Sequence, residues 1–364
     1  MTKIKALIHH FEELFPLSLQ ESYDNSGLLV GDSNSEITSV LISVDVTEDV
    51  VEEAINKKCN LIIAHHPIIF KGLKTLTGKT YVERTVVKAI KNDIAIYAAH
   101  TNLDVYEKGV SYQMAARLGL VDCKPILPTV EKLKKIVSFV PSTHLKQVQE
   151  ALFKAGGGQI GNYDSCSYSS EGTGTFRGLD GAKPYVGELR TIHHEKETKL
   201  ELVFPEYKEQ IIVQELKKAH PYEEVAFDII DINQYHPKIG LGKIGYLKEA
   251  VSVETFFSSL KKAFNIEHFR HSPLCKKTIQ TVAVCGGSCS FLISKVRQKA
   301  DILVTADIKY HEFFDAENQI IIADIGHYES EQFSKEIFYD IISKKFTNFV
   351  VHFSGINTNP INFI

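Results

Sequence analysis

Residues 58–67 read KCNLIIAHHP and predict a buried β-strand that runs directly into two histidines. The aliphatic run 61–64 has the composition of a core strand, and Pro67 ends it because proline has no backbone N–H to donate to a sheet. A buried imidazole ring needs a partner, and two neighbouring rings need two. The strand therefore leads into a candidate functional site that contains His65 and His66.

The same pattern occurs a second time near the C-terminus, where residues 299–305 read KADILVT and align with KCNLIIA at 58–64. In both places a strand and a helix precede this run, and a further helix and strand follow it. The predicted strands are 40–44, 61–64 and 94–98 in the first half and 281–284, 302–305 and 320–323 in the second. The predicted helices are 48–58, 82–91, 291–299 and 310–317. The repetition predicts a duplicated α/β domain.

The other candidate ligands follow equivalent strands of the two halves. Asp104 comes after the strand 94–98, and His327 and Glu331 come after the strand 320–323. These last two share one face if a helix follows. Ligands gather beyond the carboxyl ends of strands in open α/β sheets, so side chains from both halves can meet in one cleft. His65, His66, Asp104, His327 and Glu331 are the predicted metal ligands.

These donor types favour zinc, manganese, iron or nickel over calcium or magnesium. Structural zinc prefers cysteine, and no cysteine lies inside these motifs, so a hydrolytic pair of divalent ions is the better interpretation. Asp104 and Glu331 are the candidates to bridge two ions. The rings of His65 and His66 are aimed either at one ion or at two neighbouring ones.

Other polar residues near these motifs either support the site or cap strand ends. His100 is the candidate catalytic residue, as a proton shuttle. Asp45 ends the first strand. Asp307 and His311 in the second half are at positions equivalent to His66 and the residues after it in the first half.

Between the halves the order of elements changes to β-α-β-β-α-β, the order of a ferredoxin-like domain. The predicted strands are 133–140, 165–169 with 174–176, 198–204 and 225–230, and the helices are 144–155 and 207–219. The stretches 156–161 and 173–175 superficially resemble phosphate-binding loops, but a helix C-terminus is the better account. The stretch 220–224 is a helix-to-strand turn whose polar atoms could face the cleft, with turn geometry as the default interpretation. The α/β chain is therefore predicted to consist of a discontinuous metal-binding domain, 1–127 and 236–364, and an inserted α+β domain, 128–235.

Composition limits the classes of function. A chain of 364 residues is expected to form two domains, and 44% apolar with 24% charged residues is typical of a soluble protein. The formal charge of −4 gives no signature for nucleic acid or a membrane surface. We expect no membrane span and no signal peptide. The six cysteines lack a disulfide-framework spacing, so reduced thiols and a cytoplasmic location are expected.

Stretches distributed over nearly the whole chain resemble the GTP cyclohydrolase I type 2 homologue family, also called Nif-three-like. They are 23–31, 64–67, 100–104, 161–163, 220–223, 282–288 and 326–331. The resemblance implies that His65, Asp104 and Glu331 hold one ion and that His66, His327 and Glu331 hold the other. It also implies that the insertion is of the PII and CutA type, and that the chain forms a toroidal homohexamer with the metal sites facing an internal cavity.

The predicted function is a metal-dependent hydrolase acting on a purine nucleotide, in its specific version the opening of GTP at C8 with release of formate. One alternative is a phosphoesterase or nuclease that uses the same metals. Another is a non-catalytic metal-binding scaffold or regulator with the insertion as a sensor, which the lack of a clear general acid favours. The expected partners are further copies of the chain and a small nucleotide; nucleic acid and membranes are not expected.

Overall fold

The computed structural model describes residues 2–128, 132–161, 163–235 and 239–362. They form two compact units, a larger unit (Met1–Thr129 with Lys238–Ile364) and a smaller unit (Val130–Pro237). Asn162 of the stretch 161–163 and residue 236, at a predicted domain boundary, lie outside the described residues. The units contain several sheets with helices packed on them, so the predicted mixed α/β class is confirmed.

The N-terminal part of the larger unit alternates strands and helices. Its elements are α1 (Ile4–Leu14), β1 (Gly27–Val30), β2 (Ser39–Ser43), α2 (Glu48–Asn56), β3 (Leu61–Ala64), α3 (Tyr81–Lys91), β4 (Ala95–Ala98), α4 (Thr101–Val105), α5 (Val110–Arg117) and β5 (Val121–Pro128). Strands β2, β3 and β4 are parallel neighbours, and β1 runs antiparallel beside β4. Every residue of the three parallel strands is buried, as expected where both faces of a sheet are covered.

The helices of this part begin where the sequence supplies a cap. Thr47 accepts a hydrogen bond from the backbone N–H of Val50, and the acidic residues Glu48 and Asp49 follow in the first turn of α2. Thr80 accepts in the same way from Glu83 at the start of α3. Each helix then packs an apolar stripe on the sheet.

The smaller unit has the order strand, helix, strand, strand, helix, strand. Its elements are β6 (Lys132–Pro141), α6 (Leu145–Lys154), β7 (Tyr168–Phe176), β8 (His193–Pro205), α7 (Glu209–Ala219) and β9 (Phe227–Tyr235). The sheet is antiparallel with the order β7-β8-β6-β9. The predicted strands 165–169 and 174–176 are one strand, because Gly172 stays in register with Glu197 through the expected break.

The C-terminal part returns to the larger unit. Its elements are β10 (Gly240–Ser252), α8 (Val253–Phe264), β11 (Arg270–His271), β12 (Thr278–Ser288), α9 (Ile293–Val296), β13 (Ile302–Ala306), β14 (Ile321–Asp324), α10 (His327–Glu331), α11 (Ser334–Lys345) and β15 (Val350–Phe353). Strands β12, β13 and β14 are parallel neighbours with β11 antiparallel beside β14, which is the arrangement of β1 to β4 again.

Two long sheets result, with the orders β1-β4-β3-β2-β15 and β11-β14-β13-β12-β10-β5. The last strand, β15, pairs with β2 near the start of the chain. Two predicted helices differ in the structure. The segment 291–299 is a 3-10 turn, Ser290–Leu292, followed by the short α9, and the segment 310–317 is a 3-10 helix, Tyr310–Ala316. Glu317 and Asn318 end it with φ angles of 46° and 53°, which an α-helix does not accommodate.

One cysteine pair departs from the expectation of reduced thiols. Cys285 and Cys289 form a disulfide, whereas Cys59, Cys123, Cys166 and Cys275 are free. Gly287 bends the end of β12 with a φ of 64° and leaves the two Cα atoms 6.3 Å apart, a separation that a disulfide spans. Among the described residues, no helix is both long and apolar enough to cross a membrane.

Candidate metal centre

The two adjacent histidines leave β3 at a sharp turn. The backbone N–H groups of His65 and His66 both donate to the carbonyl of Val44, at 3.1 and 2.9 Å. Because consecutive residues of a regular strand point to opposite faces, this turn is what lets both rings lie on one side. Their ring centroids are 4.9 Å apart.

The remaining predicted ligands come from two short helices, Asp104 from α4 and His327 with Glu331 from α10. The i, i+4 spacing brings His327 Nε2 to 3.1 Å from Glu331 Oε2. That oxygen also lies 2.9 Å from His66 Nε2 and 3.6 Å from His65 Nε2, and Asp104 Oδ1 lies 3.6 Å from the same nitrogen of His65. The structure therefore brings all five predicted residues together.

His65, His66 and His100 form one candidate ligand group, and the five predicted ligands form two more groups that share Glu331. Of these two, His65, Asp104 and Glu331 form the first, and His66, His327 and Glu331 form the second. Within each group the ligand atoms lie within 4.8 Å of one another. Each group of histidine nitrogen and carboxylate oxygen can hold a metal ion.

Hydrogen bonds fix the orientation of the histidine rings. His65 Nδ1 donates to the carbonyl of Ala99 at 2.9 Å, and His66 Nδ1 donates to Asp45 Oδ1 at 2.7 Å. A carbonyl or carboxylate oxygen only accepts, so Nδ1 of each ring carries a proton and Nε2 faces the other ligands. In metal-binding histidines, a hydrogen bond from the ring nitrogen that does not bind the metal commonly fixes the orientation of the ring.

His327 repeats this arrangement from the other half of the unit. Its Nδ1 bonds Asp307 Oδ2 at 2.6 Å, and its Nε2 lies 3.3 Å from His66 Nε2. Asp45 and Asp307 are thus supporting residues rather than strand-end caps. His311, in contrast, has its ring centroid 5.1 Å from that of Tyr310 and belongs to none of the candidate ligand groups of the described residues.

Three ligand atoms are buried without a hydrogen-bond partner among the described residues: His65 Nε2, Asp104 Oδ1 and Glu331 Oε2. Leaving a buried polar atom unpaired costs about 1–3 kcal/mol, and more for a charged group. The ring nitrogens of His66, His327 and His65 lie 2.9, 3.1 and 3.6 Å from Glu331 Oε2. A divalent cation satisfies all three atoms at once, so these residues fit a metal site.

The charges of the cluster show how strongly its members interact. Burial would lower the pKa of His66, but the carboxylates of Asp45 and Glu331 outweigh it and raise the pKa to about 10. Burial and the charge of Glu331 raise the pKa of Asp104 to about 7. For Glu331 burial is outweighed by the surrounding histidines, which hold its pKa well below the usual range. Protons would therefore compete with any cation for these groups.

His100, the predicted proton shuttle, lies beside the cluster. Its ring centroid is 5.4 Å from that of His65 and 5.3 Å from that of His66. Its Nδ1 donates to Asp24 Oδ1 at 2.8 Å, and the backbone of Thr101 donates to the other oxygen of Asp24 at 3.0 Å. Burial opposes ionisation of Asp24, but the bonds from His100 and Thr101 hold its pKa well below the usual range.

Asp24 was not among the predicted site residues, although it lies in the family-like stretch 23–31. Two further contacts also went unpredicted. Thr358 Oγ1 donates to Asp45 Oδ2 at 2.6 Å, and Asn359 Nδ2 donates to Glu329 Oε1 at 2.8 Å. These residues follow β15 in a segment without periodicity, so no sequence pattern could have assigned them to the site.

Comparison with known proteins identifies the family. The model of the Duf34/NIF3 (NGG1p interacting factor 3) family matches residues 2–360. The chain belongs to this family. Duf34/NIF3 relatives include a protein of Halalkalibacterium halodurans named GTP cyclohydrolase 1 type 2 homolog, which is 40% identical over 99% of this chain and 98% of its own length. A Bacillus subtilis protein of the same name is 37% identical over 98% of both chains. The predicted family resemblance is confirmed.

Solved structures of the Duf34/NIF3 family have the same fold. A Bacillus cereus protein related to NIF3 matches with a TM-score of 0.88 and 37% identity, covering 100% of this chain and 99% of that one. A Staphylococcus aureus protein matches with a TM-score of 0.76 and 32% identity over 100% and 99% of the two chains. The likeness extends over both compact units of this chain.

Proposed function

We propose that the chain is a metal-dependent hydrolase that holds two divalent ions. His65, Asp104 and Glu331 hold one, and His66, His327 and Glu331 hold the other. The observation that carries the proposal is the carboxylate of Glu331, which belongs to both of these groups. Its buried Oε2 has no hydrogen-bond partner in the described part of the chain. Zinc suits the donors best, and iron, manganese and nickel are also compatible.

Bound divalent ions supply a lowered water pKa and polarise the bond under attack. The residues of the chain supply position and proton transfer. Asp45 and Asp307 hold the rings of His66 and His327, and Asp24 holds His100 by its Nδ1. His100 is thereby left with Nε2 to take up or release a proton beside the ligands.

The proposed substrate is a purine nucleotide, in the specific version GTP, opened at C8 with release of formate. The support is the donor set together with the printed names of the relatives, which are 40% and 37% identical to this chain. A phosphoesterase would use the same ligand groups, so the experiment must compare both kinds of substrate.

The test begins with the metal content of the protein as isolated, expected to be two ions per chain. The protein is then stripped, reloaded with each candidate metal, and incubated with GTP and with small phosphodiesters. Release of formate from GTP by the reloaded protein, and not by the Glu331→Gln variant, is the expected result. Cleavage of phosphodiesters without release of formate from GTP would show that the protein is a phosphoesterase rather than a GTP cyclohydrolase. A stripped protein that binds none of the candidate metals would contradict the whole proposal.

We also propose that the smaller unit is a ferredoxin-like insertion of the PII and CutA type and that the chain assembles as a toroidal homohexamer. The strand order β7-β8-β6-β9 and the β-α-β-β-α-β sequence of elements support the first part. Light scattering coupled to size exclusion tests the second, with a particle of six chain masses as the expected result. A monomer or dimer at micromolar concentration would contradict it.

A further inference from the structure

The smaller unit contains a cavity of about 720 Å³, a size typical of small-molecule sites. It lies on the face of the sheet that the helices leave free. On β8, Glu197 and Lys199 line the cavity, while the alternate residues Leu200 and Leu202 pack with α6 and α7 in the hydrophobic core. The cavity walls are completed by residues 177–185 and by the turn 222–226.

Two sequence motifs that the proposed function does not use meet at this cavity. They are the run 173–175 on β7 and the turn 220–224. Tyr222, from the turn, donates its hydroxyl to Glu197 Oε1 at 2.9 Å. A Cβ at Gly174 would overlap the other oxygen of Glu197, so glycine there makes room for the carboxylate. The two motifs together hold one carboxylate in the cavity wall.

Aromatic rings surround Tyr222. Phe176 lies 5.9 Å from it with the ring planes at 59°, and Tyr185 lies 6.2 Å from it with the planes at 46°. All three rings line the cavity. Inclined aromatic rings beside carboxylates are the usual recognition element for organic cations, because ring faces and carboxylates are both negative.

The charges of the lining agree with this reading. Glu171, Glu197, Glu223 and Glu224 line the cavity, against Lys199 and Arg177. Lys199 is already engaged by Glu201, which is not in the lining. The cavity is therefore negative, and a phosphate or nucleotide would meet repulsion. We propose that this cavity binds a small organic cation with a primary or quaternary ammonium group.

The test is calorimetric titration of the full-length protein with choline and with putrescine. The comparison ligand is 3,3-dimethylbutan-1-ol, which has the shape of choline without its charge. We expect at least one of the two cations to bind, and the neutral alcohol to bind at least about tenfold more weakly than choline if choline is the ligand. Tyr185→Leu and Glu197→Gln should each weaken binding of the cation about five- to tenfold.

Tyr168→Leu is the matched control, because Tyr168 is an exposed tyrosine on β7 outside the lining. It should bind the cation as the parent protein does. Tyr185 is half exposed and Gln at 197 still accepts from Tyr222, so both test variants are expected to fold, and circular dichroism checks this. Failure of both cations to bind at millimolar concentration, equal binding of the neutral alcohol, or binding of inorganic phosphate that Glu197→Gln strengthens would overturn the proposal.

Discussion

At the scale of single residues, the geometry of the candidate metal centre depends on side chains outside the predicted ligand set. Asp45 and Asp307 bond the Nδ1 atoms of His66 and His327 and thereby decide where each Nε2 points. Neutral amides in their place keep the size but weaken the bond and permit the wrong ring tautomer. The carboxylates of Asp45 and Asp307 are thus as necessary for the position of the two Nε2 atoms as the histidine rings themselves.

Asp307→Asn tests this dependence. We expect metal affinity to fall about ten- to a hundredfold, with the fold unchanged. Competition with a chromogenic chelator measures the affinity, and Asp340→Asn on α11 is the control for loss of one negative charge. Equal affinity in Asp307→Asn and the parent protein would contradict the role given to Asp307.

Gly287 is a second residue on which the site depends. Its φ is 64°, and a Cβ there would lie 2.5 Å from Glu331 Oε1. Gly287→Ala should lower the free energy of unfolding by about 1–3 kcal/mol and should also abolish metal binding by displacing Glu331. Gly119 has a φ of 70° with open space at its Cβ position. Gly119→Ala is therefore the control, because it introduces backbone strain without a steric clash.

The comparison of these two glycine variants separates strain from displacement. Chemical denaturation measures stability, and chelator competition measures the metal. Loss of stability in both variants, with loss of metal only in Gly287→Ala, is the expected result. Normal metal binding in Gly287→Ala would show that a Cβ at position 287 does not displace the carboxylate of Glu331.

The proton bound to His66 should make the apparent metal affinity depend on pH. Its pKa is raised to about 10 in the folded metal-free protein, so a cation must displace a proton at neutral pH. Apparent metal affinity should therefore rise from pH 6 towards pH 10, as chelator competition at several pH values would show. An affinity that is flat over this range would contradict the raised pKa.

The same shift affects the stability of the metal-free protein. Because the folded state holds this proton more tightly than the unfolded state, the stabilisation is complete below the usual histidine pKa near 6.5 and is lost as pH rises through about 10. The contribution of His66 to the free energy of unfolding of stripped protein should therefore decrease over that window.

At the scale of elements, α2 begins at a side-chain cap that can be tested alone. Thr47 accepts from the N–H of Val50 at 3.3 Å. Thr47→Ala should lower the free energy of unfolding by about 1 kcal/mol, while Thr47→Ser, which keeps the hydroxyl, should change it little. Urea denaturation measures both, and equal loss in the two variants would show that the methyl group matters rather than the hydrogen bond.

The elements also show what could be predicted from the sequence. The aliphatic runs that became β3 and β13 are local signals, and so is the spacing of His327 and Glu331 on α10. The hydrogen bond that Asp24 accepts from His100 spans 76 positions, and the one that Asp45 accepts from Thr358 spans 313, so no local sequence pattern indicates them. The segment 310–317 is a 3-10 helix rather than the predicted α-helix, and its amino-acid composition does not indicate the positive φ angles at its end.

At the scale of the whole molecule, the proposed metals would join distant parts of the chain. His66 and His327 are 261 positions apart, yet their Nε2 atoms are 3.3 Å apart. An ion bound at 100 times its dissociation constant stabilises the folded state by about 2.7 kcal/mol. Removing metal with a chelator should therefore lower the melting temperature, and reloading should restore it.

Calorimetry with and without chelator makes this measurement. The variant His66→Ala is the control, because it should already have lost most of the effect. A melting temperature that chelation leaves unchanged in the parent protein would contradict a metal shared between these elements.

The pairing of β15 with β2 has a consequence for how the protein is made. The first parallel strands leave the ribosome early, but their sheet lacks an edge strand until residue 353 has been translated. Through that interval the nascent chain exposes the unpaired edge of β2, a surface on which other strands can add. Synthesis of residues 327–353 therefore supplies both the edge strand and the candidate ligands His327 and Glu331, so the candidate ligand set is incomplete until residue 331 has been translated.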